Sequence, residues 1–391
     1  MRQAPLIYLI AGEASGDRLG AALMDGLLQL DPDTRFAGIG GPLMAARGLD
    51  SLFAMDELSI MGLVEVLPRL RSLFARRDEV AADIIARQPA ALVTIDSPGF
   101  TLRVAAAARK GSAAPFIHYV APSVWAWKPG RAEKMARSIN HVLALLPFEP
   151  PYMQAAGMSC DFVGHPIAAE PRATAGEIAA LRAQLGIAPD ARILTLLPGS
   201  RGSEVARLAP VFAATVKILA EKHSGLVPLV PAARPSLVPP LQAAFAGTNT
   251  IILPPLADFD AFEAQKRTVF AASSAALAAS GTVSLELAAA NVPMVIGYQM
   301  NALTGWLMRQ MALVDTVTLV NLLSDSRAVP EFLFSACKPE NLVPALDALL
   351  ENPAAAAAQR AAGAVAMREI GAGGEAPGLR AARSVMAQIR P

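Results

Sequence analysis

One unit, repeated along the chain, constrains its fold more than anything else: a short apolar run, a glycine-bearing turn, then an amphipathic stretch. It is sharpest at Arg192-Ile-Leu-Thr-Leu-Leu-Pro-Gly-Ser-Arg-Gly-Ser-Glu-Val-Ala-Arg207. The Leu/Ile run reads as a buried strand and Pro198-Gly199-Ser200 as a tight turn. From Glu204 onward, Val205, Leu208, Val211, Phe212 and Val216 recur at helical spacing. A strand that passes through a glycine turn into a helix leaves backbone N–H groups and the positive dipole end facing the turn, which favours an anion. Arg201 adds a forked cation suited to phosphate. From this loop alone, an ordinary capped connection with Ser200 or Ser203 as the cap and Arg201 solvated is equally good.

The same unit recurs on both sides of the loop. Strands are expected at 6–10, 35–39, 91–95, 115–119, 141–146 and 161–163, with helices at 19–30, 80–87 and 102–109 among them. The segment 167–186 departs from this alternation, with a linker-like Pro171-Arg-Ala-Thr-Ala175, before a second set with strands at 194–197, 226–230, 250–253, 268–272 and 293–297. Strand–helix alternation implies parallel sheets, and 391 residues exceed a typical single core. The expectation is an α/β fold of two Rossmann-like, doubly wound domains, 1–170 and 187–365, facing across a crevice where ligands bind. Past Pro353 the chain is alanine-rich and reads as helix.

Composition narrows the class. A net charge of +1, with no Lys/Arg-rich run, argues against nucleic acid as a partner. Cys160 and Cys337 have neither a disulfide framework nor metal-ligand spacing, which fits a reducing cytosol. The apolar run at 6–10 is too short for a signal peptide. The uncharged spans 268–285 and 287–308 reach membrane-crossing length, but their Ser, Thr, Asn, Gln, Gly and Pro content marks them as soluble-domain interior. Mean hydropathy is nevertheless +0.40, which points to an apolar surface for lipid. The stretch 58–77 offers one: Met61, Leu63, Val66, Leu67, Leu70, Leu73 and Phe74 alternate with Arg69, Arg71, Arg76 and Arg77. It reads as an interfacial membrane contact or, equally, as a solvated face over core.

Candidate chemistry gathers at the turns. Glu13, Ser15 and Asp17 follow the first strand, where α/β sheets place ligands, although Ser15 or Asp17 as a helix cap is the plainer role. The glycines at 12, 16 and 20 do not form a dinucleotide fingerprint. Asp96 follows the third strand and is a candidate general base; alone, an Asx-turn into Pro98-Gly99 explains it better. Trp125 and Trp127, near His118 and Lys128, line a pocket or cover the core. Ser280-Gly281-Thr282 repeats the glycine turn, with Glu286 one helical turn in, placed to accept ribose hydroxyls beside a diphosphate or to favour the dipole. Asp258-Phe-Asp260 spells a metal-binding D-x-D but reads as a helix cap, so no metal is assigned.

Ala11-Gly-Glu-Ala-Ser-Gly-Asp17, Ile60-Met-Gly-Leu-Val-Glu-Val66, Ile95-Asp-Ser-Pro98, His118-Tyr-Val-Ala-Pro-Ser-Val-Trp-Ala-Trp127, Leu146-Pro-Phe-Glu149, Phe162-Val-Gly-His-Pro166, Leu197-Pro-Gly-Ser-Arg-Gly-Ser-Glu204, Ser280-Gly-Thr282 and Asn321-Leu-Leu323 occur in this order. Together, over about 6–345, they resemble the lipid-A-disaccharide synthase family. The resemblance implies a GT-B glycosyltransferase whose last helix, about 366–391, crosses back to the first domain. It implies transfer of diacylglucosamine from its UDP derivative to diacylglucosamine 1-phosphate, with inversion and release of UDP, early in lipopolysaccharide biosynthesis. Asp96 then takes the general base's place. Glu13 and Ser15 fall on the acceptor side. Ser200, Arg201, Ser280, Gly281 and Thr282 fall to the UDP diphosphate, Glu286 to ribose, and Asn321 near the nucleotide, with no cofactor. The family associates with the inner face of the cytoplasmic membrane, an anionic surface; a homodimer is compatible with the resemblance. Family members often read Ile-Asp-x-Pro-Asp-Phe where this chain has Gly99, which removes a second acid beside Asp96. Another GT-B UDP-sugar enzyme, an epimerase or a peptidoglycan-precursor transferase, is the alternative. So is a non-catalytic nucleotide-sugar-binding protein.

Overall fold

A computed structural model describes residues 4–58, 63–128, 130–300 and 313–389, with only the backbone for 63–70. The chain forms two compact units, Met1–Ala169 with Ile370–Pro391, and Glu170–Glu369.

The first unit is built on six parallel strands: β1 (Leu6–Ala11), β2 (Arg35–Ile39), β3 (Ala91–Ile95), β4 (Phe116–Tyr119), β5 (His141–Ala144) and β6 (Ser159–Phe162), in the order β2-β1-β3-β4-β5-β6. β1 and β3 are almost wholly buried and apolar along their length, as strands covered on both faces must be. The strand order reverses between β1 and β3, so the crevice for a ligand opens beyond their carboxyl ends. The last helix, Pro377–Ile389, packs on the first, Ala14–Leu30. Arg380 donates to the Phe162 carbonyl at 2.6 Å, and Ser384 Oγ reaches Asp161 and His141 at 2.6 and 2.8 Å.

The second unit repeats the plan with β7 (Arg192–Leu197), β8 (Leu226–Pro231), β9 (Ile251–Leu253), β10 (Ala275–Ala278), β11 (Met294–Tyr298) and β12 (Glu331–Leu333), in the order β12-β11-β10-β7-β8-β9. Here the reversal lies between β7 and β10, which pair from Ala275↔Leu194 to Ala278↔Leu197. Their exits are the Gly199 and Gly281 turns, so this topology brings together two loops some eighty residues apart in sequence.

The structure departs from the sequence reading in four places. Residues 268–272, expected as a strand, lie mostly in the helix Phe259–Ala271. Asp258 caps that helix by accepting from Ala261 N–H at 2.8 Å, and Thr268 Oγ1 donates back to the Ala264 carbonyl. An apolar β-branched run does not by itself distinguish strand from buried helix. The strand is the alanine-rich segment just after it, which lacks β-branched side chains and forms because it is central and buried. The short edge strand β12 was not anticipated. The helix ending at Arg87 starts at Leu63 rather than near 80. Pro98 opens its helix at the first position, earlier than the expected 102, where a missing N–H costs nothing.

Candidate functional site

In the second unit a cavity of about 360 Å³ opens where β7 and β10 end. Pro198–Arg201 and Ser280–Val283 contribute to it from the two turns, Val230–Ala233 from the end of β8, and Phe262, Lys266, Phe270 and Glu286 from two helices. Gly199 and Gly281 have φ of +110° and +158°, conformations that L side chains rarely adopt. At Gly199 space is also closed: an added Cβ would lie 2.5 Å from Glu204 Cβ.

The sequence placed Ser200, Arg201, Ser280, Gly281, Thr282 and Glu286 at one ligand, and all six line this cavity. The helix Gly202–Lys222 presents its first turn to it. The N–H groups of the turn before it are partly used: Glu204 reaches back, accepting from Ser200 N–H at 3.1 Å and Arg201 N–H at 3.3 Å. The Arg201 guanidinium lies 3.2 Å from the same carboxylate, with its side chain 65% exposed. An internal carboxylate thus occupies the turn where an external anion would sit. Neither Ser200 nor Ser203 caps the helix.

Glu286 stands in the first turn of Val283–Ala289. Its Oε2 lies 2.8 Å from Lys266 Nζ, and Lys266 also contacts Glu263 at 3.0 Å. Burial works against the Lys266 charge, but the two carboxylates outweigh it and hold its pKa above the ordinary value. Sequence reasoning missed Lys266. The signal was Glu263-x-x-Lys266, a helical ion-pair spacing, and reading a strand at 268–272 hid the helix that carries it.

Asn321, expected near the nucleotide, is placed elsewhere. It is fully buried and does not line the cavity. Its amide donates to the Val329 carbonyl at 2.9 Å and accepts from Val329 N–H at 3.0 Å. Those bonds fix the chain ahead of β12 and commit both ends of the side-chain amide.

The first unit sets a second constellation at its own reversal point. Ala11 pairs with Ile95, so the Gly12–Ser15 turn lies beside the Asp96–Ser97 turn. A Cβ on Gly12 would meet Ser97 Oγ at 2.8 Å, so glycine is what lets the two turns touch. Ser15 is exposed and Glu13 half-buried. Asp17 caps neither its own helix nor a ligand. It is buried and accepts from Gly41, Leu43 and Met44 N–H at 2.9–3.0 Å, capping the next short helix, Pro42–Ala45.

Asp96 and Ser97 both take left-handed conformations, with φ of +47° and +43°. Consecutive non-glycine residues there store strain that persists only where surroundings impose it. Asp96 N–H donates to the Tyr119 carbonyl at 2.9 Å and Thr101 Oγ1 donates to the Asp96 carbonyl at 2.8 Å. These bonds leave the carboxylate half-buried. Desolvation raises its pKa above the usual aspartate value, opposed only in part by the Ser97 N–H. A carboxylate made more basic by burial, with no cation beside it among the described residues, suits proton abstraction.

The Trp pair divides. Trp125 is core: its indole donates to buried Glu149 at 3.2 Å and its ring meets Phe148 edge-on at 5.1 Å. Trp127 is half-buried, with Lys128 and Arg131 over its ring at 4.5 and 5.8 Å. His118 is buried against Thr94 at 2.8 Å, and desolvation lowers its pKa to about 4, so it stays neutral.

Of the proposed membrane stretch, Met61 and the side chains of Leu63, Val66, Leu67, Arg69 and Leu70 lie outside the described residues. Arg71 is exposed, Leu73 half-buried and Phe74 41% exposed. Arg76 pairs with Glu57 and Glu79 at 2.8 and 2.7 Å, and Arg77 with Asp78 at 2.6 Å.

A family model described as lipid-A-disaccharide synthetase matches residues 7–372. The chain is 53% identical to the lipid-A-disaccharide synthase of Ruegeria pomeroyi over 387 residues, 98% of this chain and 95% of the relative. It is 47% identical to that of Rhodospirillum centenum, covering 97% and 94%. Among solved structures, the UDP-GlcNAc 2-epimerase of Neisseria meningitidis bound to UDP-GlcNAc is similar with a TM-score of 0.62 at 12% identity, covering 99% of both chains. The calicheamicin glycosyltransferase CalG4 is similar at 0.55 and 15%, covering 99% of this chain and 98% of its own. At those identities the likeness is one of fold: two Rossmann-like domains of the GT-B class. Identity near one half across almost the whole length carries more. The chain belongs to the lipid-A-disaccharide synthase family and is a glycosyltransferase of lipid A biosynthesis.

Proposed function

We propose that the enzyme joins UDP-2,3-diacylglucosamine to 2,3-diacylglucosamine 1-phosphate, giving the disaccharide 1-phosphate and UDP with inversion at the anomeric carbon. The Asp96 carboxylate takes the proton from the acceptor hydroxyl as that oxygen attacks; the bond from the anomeric carbon to the diphosphate oxygen breaks, and UDP leaves. Glu13 and Ser15 meet the acceptor beside Asp96. Ser200, Arg201 and the Ser280–Thr282 turn stabilise the charge that develops on the diphosphate, while Glu286 accepts from ribose. Glu204 gives up its bonds to Ser200 and Arg201 as the diphosphate arrives. The observation that carries the donor half is the single cavity lined by both glycine turns and Glu286.

The enzyme acts as a peripheral protein on the inner face of the cytoplasmic membrane, touching it through the helix Leu63–Arg87. Among the described residues no helix is long and apolar enough to cross a membrane. The deciding experiment is UDP release from UDP-2,3-diacylglucosamine, with and without the acylated monosaccharide phosphate. Release that depends on this acceptor is expected. Release with another sugar acceptor, and none with this one, refutes the substrate assignment.

A further inference from the structure

Among the described charged residues that line the donor cavity, Lys266 has no role in the proposed handling of the nucleotide. It lies on the helix Phe259–Ala271, one turn beyond Glu263, and reaches across to Glu286 on the helix that leaves the Ser280–Thr282 turn. Its ammonium is thus fixed from two sides, at 3.0 Å by Glu263 and at 2.8 Å by Glu286. The shortest contact is made by Glu286 Oε2, so Oε1 is the oxygen better placed to offer its lone pairs. A lone glutamate at a cavity wall samples several rotamers, and ordering it on binding costs affinity. A glutamate already held through one oxygen presents the other in a fixed direction at no such cost.

We propose that Lys266 is a positioning residue: braced by Glu263, it holds Glu286 so that the free carboxylate oxygen selects a ribonucleotide over a deoxyribonucleotide. This rests on the reading of the cavity as the UDP site and adds to it the sugar specificity of that site. Selection follows because a site built to accept a hydroxyl proton is left with a buried, unpaired carboxylate oxygen when the hydroxyl is missing. A Lys266 that served only as a strut between two helices would affect all nucleotides alike.

The test compares titration calorimetry of UDP, 2′-deoxy-UDP and 3′-deoxy-UDP on the full chain and on Lys266→Met and Lys266→Arg, with thermal melting as a fold control. The wild type is expected to bind UDP roughly tenfold tighter than at least one deoxy analogue, the size of one hydrogen bond to a charged group. Lys266→Met is expected to bring that ratio close to one, and Lys266→Arg to restore most of it. If Lys266→Met weakens UDP and its analogues equally and keeps the wild-type ratio, the positioning role is overturned while the UDP site stands. If the wild type binds UDP but does not discriminate, Glu286 does not read the sugar and the inference falls. If the wild type binds no UDP, the donor-site reading itself falls, and the inference with it.

Discussion

The two units place turns at equivalent points of equivalent sheets and build them differently. In the second unit the positive-φ positions of the cavity are filled by Gly199 and Gly281, which adopt them without strain. In the first, Asp96 and Ser97 occupy such positions with side chains attached. The carboxylates differ in parallel. Glu286 and Glu204 sit against Lys266 and Arg201. Among the described residues Asp96 and Glu149 have no cation, and burial raises the pKa of both. A unit that binds an anion benefits from relaxed turns and from acids kept charged. A unit that removes a proton benefits from an acid held in a costly conformation and made basic by desolvation.

The hardest test of that contrast is Asp96→Asn. Turnover should fall roughly 10²- to 10⁴-fold with the fold retained, the usual cost of losing a general base. The pH profile adds a second criterion. A general base at Asp96 would work deprotonated, so its raised pKa would place the acid limb of kcat/KM above the 3.8 of an ordinary aspartate, with activity lost as pH falls through that limb. A variant with unchanged turnover, or a wild-type limb at the ordinary value, would break the comparison at its centre.

Glu149 tests whether the first unit tolerates acids without cations more generally. It is 4% exposed, accepts from Trp125 Nε1–H and from Leu145 and Leu146 N–H, and is pushed up to about 7 by burial. Between 4.5 and about 7 the folded protein therefore holds a proton that the unfolded chain has lost. Stability declines as pH rises across that window and is flat above it. Glu149→Gln keeps an acceptor oxygen and carries no charge. Its stability relative to wild type should be greater at pH 8 than at pH 5 by about 3 kcal/mol, at 1.36 kcal/mol per pKa unit. Denaturant melts at the two pH values check this; equal differences at both would mean that Glu149 is as readily ionised as a surface acid.

In the second unit the same logic predicts effects of opposite sign from neighbouring residues. Arg201→Ala should weaken UDP binding roughly 10- to 100-fold, the cost of a hydrogen bond to a charged group. Glu204→Gln removes the internal anion from the turn and should strengthen UDP binding about two- to fivefold, the size of a charge at a helix N-terminus. Calorimetric titration with UDP reads both. If Glu204→Gln weakens binding, its carboxylate supports the turn instead of competing for it.

What could be read from the sequence follows the same division. Glycines at 199 and 281 are required by backbone geometry, so the turns that line the cavity show in the residue string, and the strand–helix period carried the rest of each sheet. Asp96 looked like an ordinary Asx-turn residue because strain and desolvation come from Tyr119, Thr101 and the packing around them, none of them adjacent in sequence. Lys266 was hidden by the ambiguity of a β-branched run. Asn321 sits in a recognisable motif, and only its bonds to Val329 show where its amide is spent. Trp125 and His118 read either as pocket-lining or as cover for the core, because the partners that decide it, Glu149 and Thr94, lie well away along the chain.

An effect as small as that at Glu204 concerns the helix Leu63–Arg87, where charge pairing again separates neighbours. Arg76 and Arg77 are committed to Glu57, Glu79 and Asp78, so this part of the surface carries little net positive charge. Arg71 is exposed, and Phe74 presents 41% of its surface with Arg77 and Arg103 stacked over the ring at 5.0 and 5.9 Å. A ring between cations at an exposed site suits shallow insertion among anionic headgroups. Arg71→Ser should reduce partitioning onto anionic vesicles about fivefold at low salt, at about 1 kcal/mol per basic residue, and the loss should shrink as salt is added. Phe74→Ser should lower binding by a salt-independent amount, because its contribution is buried apolar area. Neither change should alter UDP affinity, since both lie in the unit that does not carry the donor cavity. Vesicle binding unchanged by either substitution would move the membrane contact to another part of the chain and leave this helix a solvated face over the core.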